Sequence, residues 1–282
     1  DDSGKITSRH LTTGSNPSIC GPEVARRTVA DALKVLTRGV EPSDVTLTLL
    51  CMAGSRNFWE ETASDLSGYG HILTSDDSLP VLELATGGEP GLVLHGGTGS
   101  FVAARTERGS GDDILNAHYA GGLGWRFGDP GSGYDLGRRA IARGLIELQG
   151  WQPASGLSAA LQTHTGLGDA AAISRLFYGH AEANKVIAAL APAVLDLAAG
   201  GEASARKIVA ESTGELLDLA LKVAASLFPE QPPGSLRAGL SGPILTHPAV
   251  LAELIPHSTF SFTPVTSPPI EGVQQLLARL PA

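Results

Sequence analysis

Apolar and polar positions along the chain alternate between strand-like and helix-like periods. Val24, Val29, Leu33 and Leu36 recur at helical spacing within Pro22 to Thr37, which predicts an amphipathic helix opened by a proline where a first turn tolerates one. Val45 to Met52 is an apolar run of strand length that ends in the small loop Ala53 to Ser55. A short helix over Phe58 to Leu66, a strand over His71 to Thr74 and a helix over Asp77 to Leu84, entered through the cap-like Ser75 to Ser78, continue the alternation. Two further strands, Gly91 to His95 and Phe101 to Arg105, flank Gly96 to Ser100. Leu136, Ile141, Leu145 and Leu148 stripe a helix over Tyr134 to Leu148, with Arg138, Arg139 and Arg143 on its solvated side. Leu157 to Leu227 is alanine-rich and helical, with breaks at Gly166, Gly168 and Ala198 to Glu202. A strand over Leu236 to Leu240, a helix over His247 to Leu254, a strand over Phe260 to Val265 and a helix over Val273 to Leu280 close the chain. At its start, Asp1 to Lys5 reads as a hairpin turn and Ile6 to Leu11 as the strand leaving it, so the chain opens in mid-sheet. The pattern is that of an α/β protein.

Composition narrows the picture. A length of 282 residues leads us to expect two domains, and 42% hydrophobic with 17% charged residues is the balance of a soluble globular protein. A net charge of −9 argues against a nucleic-acid partner or an anionic membrane, because both need a basic face; a local basic pocket for one small anion is still compatible. Cys20 and Cys51 are too few and too far apart for a disulfide framework or a CxxC metal site, so a reducing, cytoplasmic setting is expected. No apolar run has bilayer length and Asp1 to His10 has no signal-peptide core, so export is not expected unless an upstream segment carries a signal.

The stretch with the most chemical character is Gly121 to Gly137, GGLGWRFGDPGSGYDLG, where seven glycines crowd ahead of a helix. Glycine at this density suits a main chain that turns tightly or touches something bulky, and a loop without a ligand reads equally well from this stretch alone. In Gly96 to Ser100, GGTGS, backbone N–H groups could lie against phosphate oxygens with the Thr98 and Ser100 hydroxyls as further donors; a plain hairpin turn is the alternative.

Four segments match one family in order and spacing: SDDSLPVLELATGGEPGLVLHGGTGS from Ser75, GGLGWRFGDPGSGYDLGRRAI from Gly121, LSGP from Leu240 and PPIEGVQQLLA from Pro268. Over nearly its whole length the chain resembles the N-acetylglucosamine kinase-like branch of the BadF/BadG/BcrA/BcrD ATPase family, within the sugar kinase, actin and heat-shock chaperone superfamily. The resemblance implies a two-domain actin-like (ribonuclease H-like) fold, with mixed sheets flanked by helices and a ligand cleft between the domains. It would divide the chain into residues 1–97 on the sugar side, completed by the helix of 268–282, and 98–267 on the nucleotide side. It implies ATP and Mg2+ as cofactors, an amino sugar such as N-acetylglucosamine or glucosamine as acceptor, transfer to the 6-hydroxyl, and the homodimer common among relatives.

Residue by residue, the resemblance makes Asp77 the general base, with adjacent Asp76 as the register alternative and a helix N-cap as the structural role open to either. It makes Asn16, Gly122, Leu123, Gly124 and Asp129 sugar-binding; Asn16 and Asp129 also read as ordinary turn residues. Gly97, Thr98, Gly99 and Ser100 become a phosphate turn, Ser241 and Gly242 the turn near the adenine, and Gly201 a helix start on its other side. No metal-ligating residue is assigned.

The family's first phosphate loop is not in this sequence, which starts inside the turn that follows it; it reads as a chain given without the first two strands of its N-terminal domain, which as given should bind ATP–Mg2+ weakly, with a non-catalytic sensor or pseudokinase as the alternative expectation. Leu123 and Pro130 replace the family's tryptophan and glutamate beside the sugar, with Trp125 two positions on, which points to an altered amino sugar or another small polyol. The iron–sulfur activators of the same family are set aside because no cysteine follows Cys51.

Overall fold

The computed structural model describes residues 5–109 and 111–280. Its first regular element is the single turn α1 (Pro17–Cys20), capped by Asn16, whose Oδ1 accepts from the Ser18 N–H at 2.9 Å. The strand expected over Ile6 to Leu11 does not form: these residues have no regular structure and Leu11 is 93% exposed. No neighbouring strand among the described residues takes up their backbone groups, so these face water instead. The expected turn at Asp1 to Lys5 lies outside the described residues apart from Lys5.

The helix α2 (Pro22–Leu36) buries Ala25, Val29 and Leu33, a narrower stripe than the one expected; Val24 and Leu36 stay more than a third exposed. This stripe packs with Leu50 of β1 (Leu47–Met52) and Trp59 of α3 (Arg56–Ser64) into one core. The indole of Trp59 is 1% exposed and donates to the Ala53 carbonyl at 2.9 Å, which satisfies its only polar group. Strand β2 (His71–Asp76) lies parallel to β1, from Leu47 against His71 to Met52 against Asp76, and α3 makes the crossover that a parallel pair requires. Helix α4 (Leu79–Thr86) follows, two residues later than expected, after a turn at Asp77 and Ser78.

The chain divides into two units: Asp1–Leu84, Arg108–Asn116 and Ser267–Ala282 form the first, Ala85–Glu107 and Ala117–Thr266 the second. The sheet of the second unit has five strands in the order β5-β4-β3-β6-β7. The hairpin β3 (Gly91–Gly96) and β4 (Ser100–Arg105) is antiparallel, as is β4 with β5 (His118–Gly121). Because β3 hydrogen-bonds to β4 and, in parallel, to β6, it belongs to this unit rather than to the first domain drawn from the sequence. The strand β5 was not foreseen, since its four residues end in glycine and lack apolar alternation.

Six helices come next: α5 (Gly133–Leu148), α6 (Gly156–Thr165), α7 (Ala170–Gly179), α8 (Ala183–Ala188), α9 (Ala191–Ala199) and the 25-residue α10 (Ala203–Leu227). Then follow β6 (Arg237–Ser241), α11 (Gly242–Leu245), α12 (Pro248–Leu254) and β7 (Phe262–Val265), with β6 and β7 parallel. Leu92 and Leu94 of β3, Leu136 of α5, Leu161 of α6, Val194 of α9, Leu216 of α10 and Leu240 of β6 are among the nearly sealed residues of its one continuous core. Among the described residues no single helix is long and apolar enough to cross a membrane.

The last helix, α13 (Pro269–Arg279), returns to the first unit. Arg279 donates to both carboxylate oxygens of buried Glu83 at 2.6 and 2.9 Å and to the Arg108 carbonyl at 2.6 Å, joining the three chain segments of that unit. A guanidinium suits this because its separate donors reach different acceptors, Nη1 the Glu83 carboxylate and Nη2 the Arg108 carbonyl.

Gly137 and Gly214 predict opposite responses to alanine. A Cβ at Gly137 would lie 2.0 Å from the Ile187 carbonyl oxygen of α8, a backbone atom with little room to yield, whereas Gly214 in α10 has nothing within 4 Å. In chemical unfolding, G137A should lose about 2–3 kcal/mol or more and G214A should gain about 0.5–1 kcal/mol. Equal effects at the two sites would contradict the packing of α5 on α8.

Candidate active site

In the second unit two glycine-rich turns are bonded to each other. The first, at the tip of β3–β4, closes with the Gly97 N–H on the Gly99 carbonyl at 2.9 Å. The second runs from the end of β5 to the start of α5. Gly133 N–H donates to Gly97 O at 2.8 Å, Tyr134 N–H to Thr98 O at 3.3 Å, and the Ser100 hydroxyl to Pro130 O at 2.6 Å. The Ser100 hydroxyl, expected to face phosphate, is therefore turned inward as a strut.

Asp129 sits at the centre of this arrangement. It is the only non-glycine among the described residues with φ in the left-handed region, at 74°, a conformation aspartate tolerates better than most residues. Its side chain reaches Gly99 so closely that a Cβ there would lie 3.0 Å from Oδ2. The residue is 8% exposed, and Oδ1 has no hydrogen-bond partner. Burial raises its pKa, partly offset by a hydrogen bond from the Gly124 backbone, and nearby Asp135 pushes the same way as burial. A buried acid with one vacant oxygen is costly unless something else supplies the donor.

Around Asp129 two of the other expected sugar residues, Gly122 at φ 62° and Gly124 at 94°, take up positive-φ backbone, as does their neighbour Gly121 at 78°. The turn Gly124 to Phe127, closed by a 3.0 Å bond, leaves Leu123 74% and Phe127 81% exposed while Trp125 leans on Tyr134 at 5.5 Å.

Gly97, Thr98 and Gly133 form one wall of a pocket of about 490 Å3. Gly133 is the first residue of α5, whose N-cap Ser132 accepts from the Asp135 N–H, so the positive end of a 16-residue helix opens here beside the Gly97–Thr98 turn. The other walls are mostly apolar, from Ala188, Ala191, Pro192, Leu195, Pro243 and Ile244, with Lys185, Asp196 and His247 as polar members. The Lys185 ammonium pairs with Glu182, and His247 Nδ1 accepts from the Ala249 N–H at 3.2 Å, which leaves the ring proton on Nε2 when the imidazole is neutral. A helix start, a glycine turn and apolar walls fit a phosphorylated ligand with a flat apolar part.

Ser241 and Gly242 stand behind this pocket rather than in it. Ser241 Oγ lies 3.2 Å from His95 Nδ1, and the adjoining residues Pro243 and Ile244 make the wall. A Cβ at Gly242 would lie 2.4 Å from Gly96 O, so glycine lets the β6–α11 turn approach β3. Gly201 turns the chain into α10 at φ 86° and does not line the pocket. Lys185 of α8, Asp196 of α9 and His247, the N-cap of α12, were not foreseen, because none of them belongs to a motif.

In the first unit, Asn16, Asp76 and Asp77 gather at the carboxyl ends of β1 and β2. A Cβ at Gly54, just past β1, would lie 3.3 Å from Asn16 Oδ1, and Asp76 pairs in register with Met52. The carboxyl ends of parallel strands are where open α/β sheets present ligand sites. Asp76 is engaged locally, with Oδ1 accepting from the Ser78 N–H at 2.8 Å. Although the side chain of Asp77 reaches the surface, burial of its carboxyl and then the neighbouring Asp76 charge push its pKa up to about 6. Burial, followed by the charges of Asp76 and Asp77, pushes the Cys51 thiol up to about 12, which keeps it protonated and unreactive. Asn16 Oδ1 serves as the cap of α1.

Comparison with known proteins agrees with this architecture. The model of the BadF/BadG/BcrA/BcrD ATPase family matches residues 1–257. A protein from Chromobacterium violaceum, provisionally named an N-acetylglucosamine kinase, is 26% identical, with TM-score 0.72 over 94% of this chain and 87% of its own. A provisionally named N-acetylglucosamine kinase from Porphyromonas gingivalis is 21% identical, with TM-score 0.72 over 98% of this chain and 92% of its own, and shows the same α/β fold. No curated protein matches the chain.

The geometry around Asp129 predicts a pH-dependent effect of neutralising it. Its folded pKa is raised, so the fold disfavours its ionised form and the associated stability is lost as pH rises above the ordinary aspartate value. D129N keeps a residue that tolerates the same backbone and should grow more stable relative to wild type as pH rises above the ordinary aspartate value in urea unfolding. A difference that stays flat with pH would contradict the burial of this charge.

Proposed function

Because the chain belongs to the BadF/BadG/BcrA/BcrD ATPase family, we propose that it is an ATP-dependent sugar kinase acting on an amino sugar such as N-acetylglucosamine or glucosamine, at the 6-hydroxyl. The observation that carries the reading is the joining of a phosphate-type turn, Gly97 to Gly99, to the turn of Asp129 by the Gly133-to-Gly97 bond, with a pocket of nucleotide-like character beside it. The name of the Chromobacterium relative favours the same substrate class.

ATP occupies the pocket of the second unit. Its phosphates lie against the Gly97–Thr98 turn, with the Thr98 hydroxyl as a donor, in the field of the α5 start, whose own first N–H groups are taken by Gly97 O, Thr98 O and Ser132 Oγ; its base lies among Leu195, Pro243 and Ile244. A side chain at Gly133 would sit tightly against Gly97 O, at 3.3 Å, on the face that meets the phosphate turn. No group of three His, Cys, Asp or Glu side chains among the described residues could hold a metal alone. Mg2+ would therefore enter with the ATP phosphates and supply charge neutralisation.

In the second unit Asp129 accepts a sugar hydroxyl at its unpartnered Oδ1, and the Gly122–Gly124 backbone contributes further polar groups; in the first unit Asn16 is the proposed sugar-binding amide. Asp77 is the general base. Asp77 takes the hydroxyl proton as the new P–O bond forms and ADP departs, with Asp76, whose Oδ1 accepts from the Ser78 N–H, as its neighbour. A pKa of about 6 leaves it ionised at neutral pH yet more basic than an ordinary carboxylate.

In an ADP-release assay with N-acetylglucosamine, D77N should lower kcat by about 10²–10⁴-fold while calorimetric sugar affinity stays close to wild type. The wild-type rate should rise with pH and level off above about 6, because the base must first lose its proton. Retained turnover in D77N would remove this residue from the mechanism, and saturable sugar binding without turnover in wild type would make the protein a sensor instead.

A further inference from the structure

We propose that Ser212, in the middle of α10, is a positioning residue that holds the turn bearing Asp129 in its binding-competent shape; this rests on the reading above that Asp129 faces the acceptor sugar. A helical serine commonly bonds back to the carbonyl four residues earlier. Thr213 does so, onto Val209 O at 2.8 Å. Ser212, fully buried, instead donates to Asp135 Oδ2 at 2.7 Å and accepts from the Gly131 N–H at 2.9 Å. The direction of both bonds is set by chemistry, since an ionised carboxylate can only accept and an amide N–H can only donate.

Asp135 is itself anchored. It is 4% exposed, it accepts from Arg138 Nη2 and Arg139 Nε at 2.7 Å each, and Arg139 reaches on to Glu215 of α10 at 2.6 Å. The hydroxyl proton of Ser212 is thereby drawn to one side, and its lone pair faces Gly131.

At the other end of this relay the turn is pressed onto α10. Gly131 has φ 78°, and a Cβ there would lie 2.8 Å from Leu216 Cδ2. Gly131 lies two residues beyond Asp129, whose own carbonyl accepts from the Ser132 N–H at 3.2 Å. Ser100 holds Pro130 from the β4 side and Ser212 holds Gly131 from the α10 side. Without the Ser212 hydroxyl a buried N–H has no acceptor, and the left-handed backbone of Asp129 loses a restraint on the side that Ser100 does not reach. The contacts of Gly97 and Thr98 with Gly133 and Tyr134 do not pass through Ser212, so the phosphate turn should be affected less.

The test compares S212A and S212T with wild type. In S212A the KM for N-acetylglucosamine should rise about tenfold or more, the equivalent of about 1.4 kcal/mol, with ATP affinity within about twofold. Hydrogen exchange over residues 121–133 should quicken while the core of α10 stays protected, and S212T, which keeps the hydroxyl, should recover both values. Equal loss of sugar and ATP affinity, or loss of global stability with unchanged exchange over 121–133, would overturn the proposal. A wild-type protein that binds no sugar would defeat the kinase reading, whereas unaltered exchange over 121–133 in S212A would defeat this one whatever the substrate.

Discussion

The second unit depends on a bond between two loops: the N–H of Gly133, at the start of α5, on the carbonyl of Gly97, at the tip of a β-hairpin. Where the loops meet at Gly97 and Gly133 the contact is backbone to backbone, made possible by the absence of Cβ atoms, and the Ser100 and Ser212 hydroxyls brace the second loop from either side. At Gly99 a methyl group would lie 3.0 Å from Asp129 Oδ2, and at Gly96 it would lie 2.7 Å from Gly131 O. The same bond sets the N-terminus of α5 beside the Gly97–Thr98 turn, so the positive end of the helix lies at the pocket.

The carboxylates of the molecule divide by how they are satisfied. Glu83 has Arg279, Asp135 has two arginines and Ser212, and Glu147, which burial alone would push up, is lowered by its bonds from Arg143 and Ser155. These are internal struts, and each helps to join elements distant in sequence or to cap a helix. Asp129 and Asp77 differ: both have raised pKa values with burial as the leading cause, and Asp129 keeps a buried oxygen without a partner. An acid the fold does not neutralise is a feature of a site that expects a ligand or a proton, which is why these two carry the functional reading.

The longer helices and most strands were legible in the sequence because their apolar periods are strong; the observed α5 starts one residue before Tyr134, and α10 begins just after the expected break at Ala198 to Glu202, whereas the single turns α1 and α11 were not foreseen. Ile6 to Leu11 looked like a strand by pattern, yet a strand also needs a neighbour, which pattern cannot report. The glycine turns and Asp129 were legible as motifs, but the inward rotation of the Ser100 hydroxyl was not, because spacing does not say which carbonyl lies 2.6 Å away. Lys185, Asp196 and His247 reach the pocket through tertiary packing of α8, α9 and α12, and their sequence neighbourhoods carry no trace of it. The same is true of Ser212, an unremarked serine in a long helix whose two partners lie 77 and 81 residues away.

The most direct measurement of the central claim is transfer of labelled phosphate. The protein would be incubated with γ-labelled ATP, Mg2+ and N-acetylglucosamine or glucosamine, and the products separated and weighed by mass spectrometry. The account predicts a sugar monophosphate carrying the label at C6, formed in one-to-one proportion with ADP. Label recovered only in ATP or inorganic phosphate, with the sugars unchanged, would contradict it.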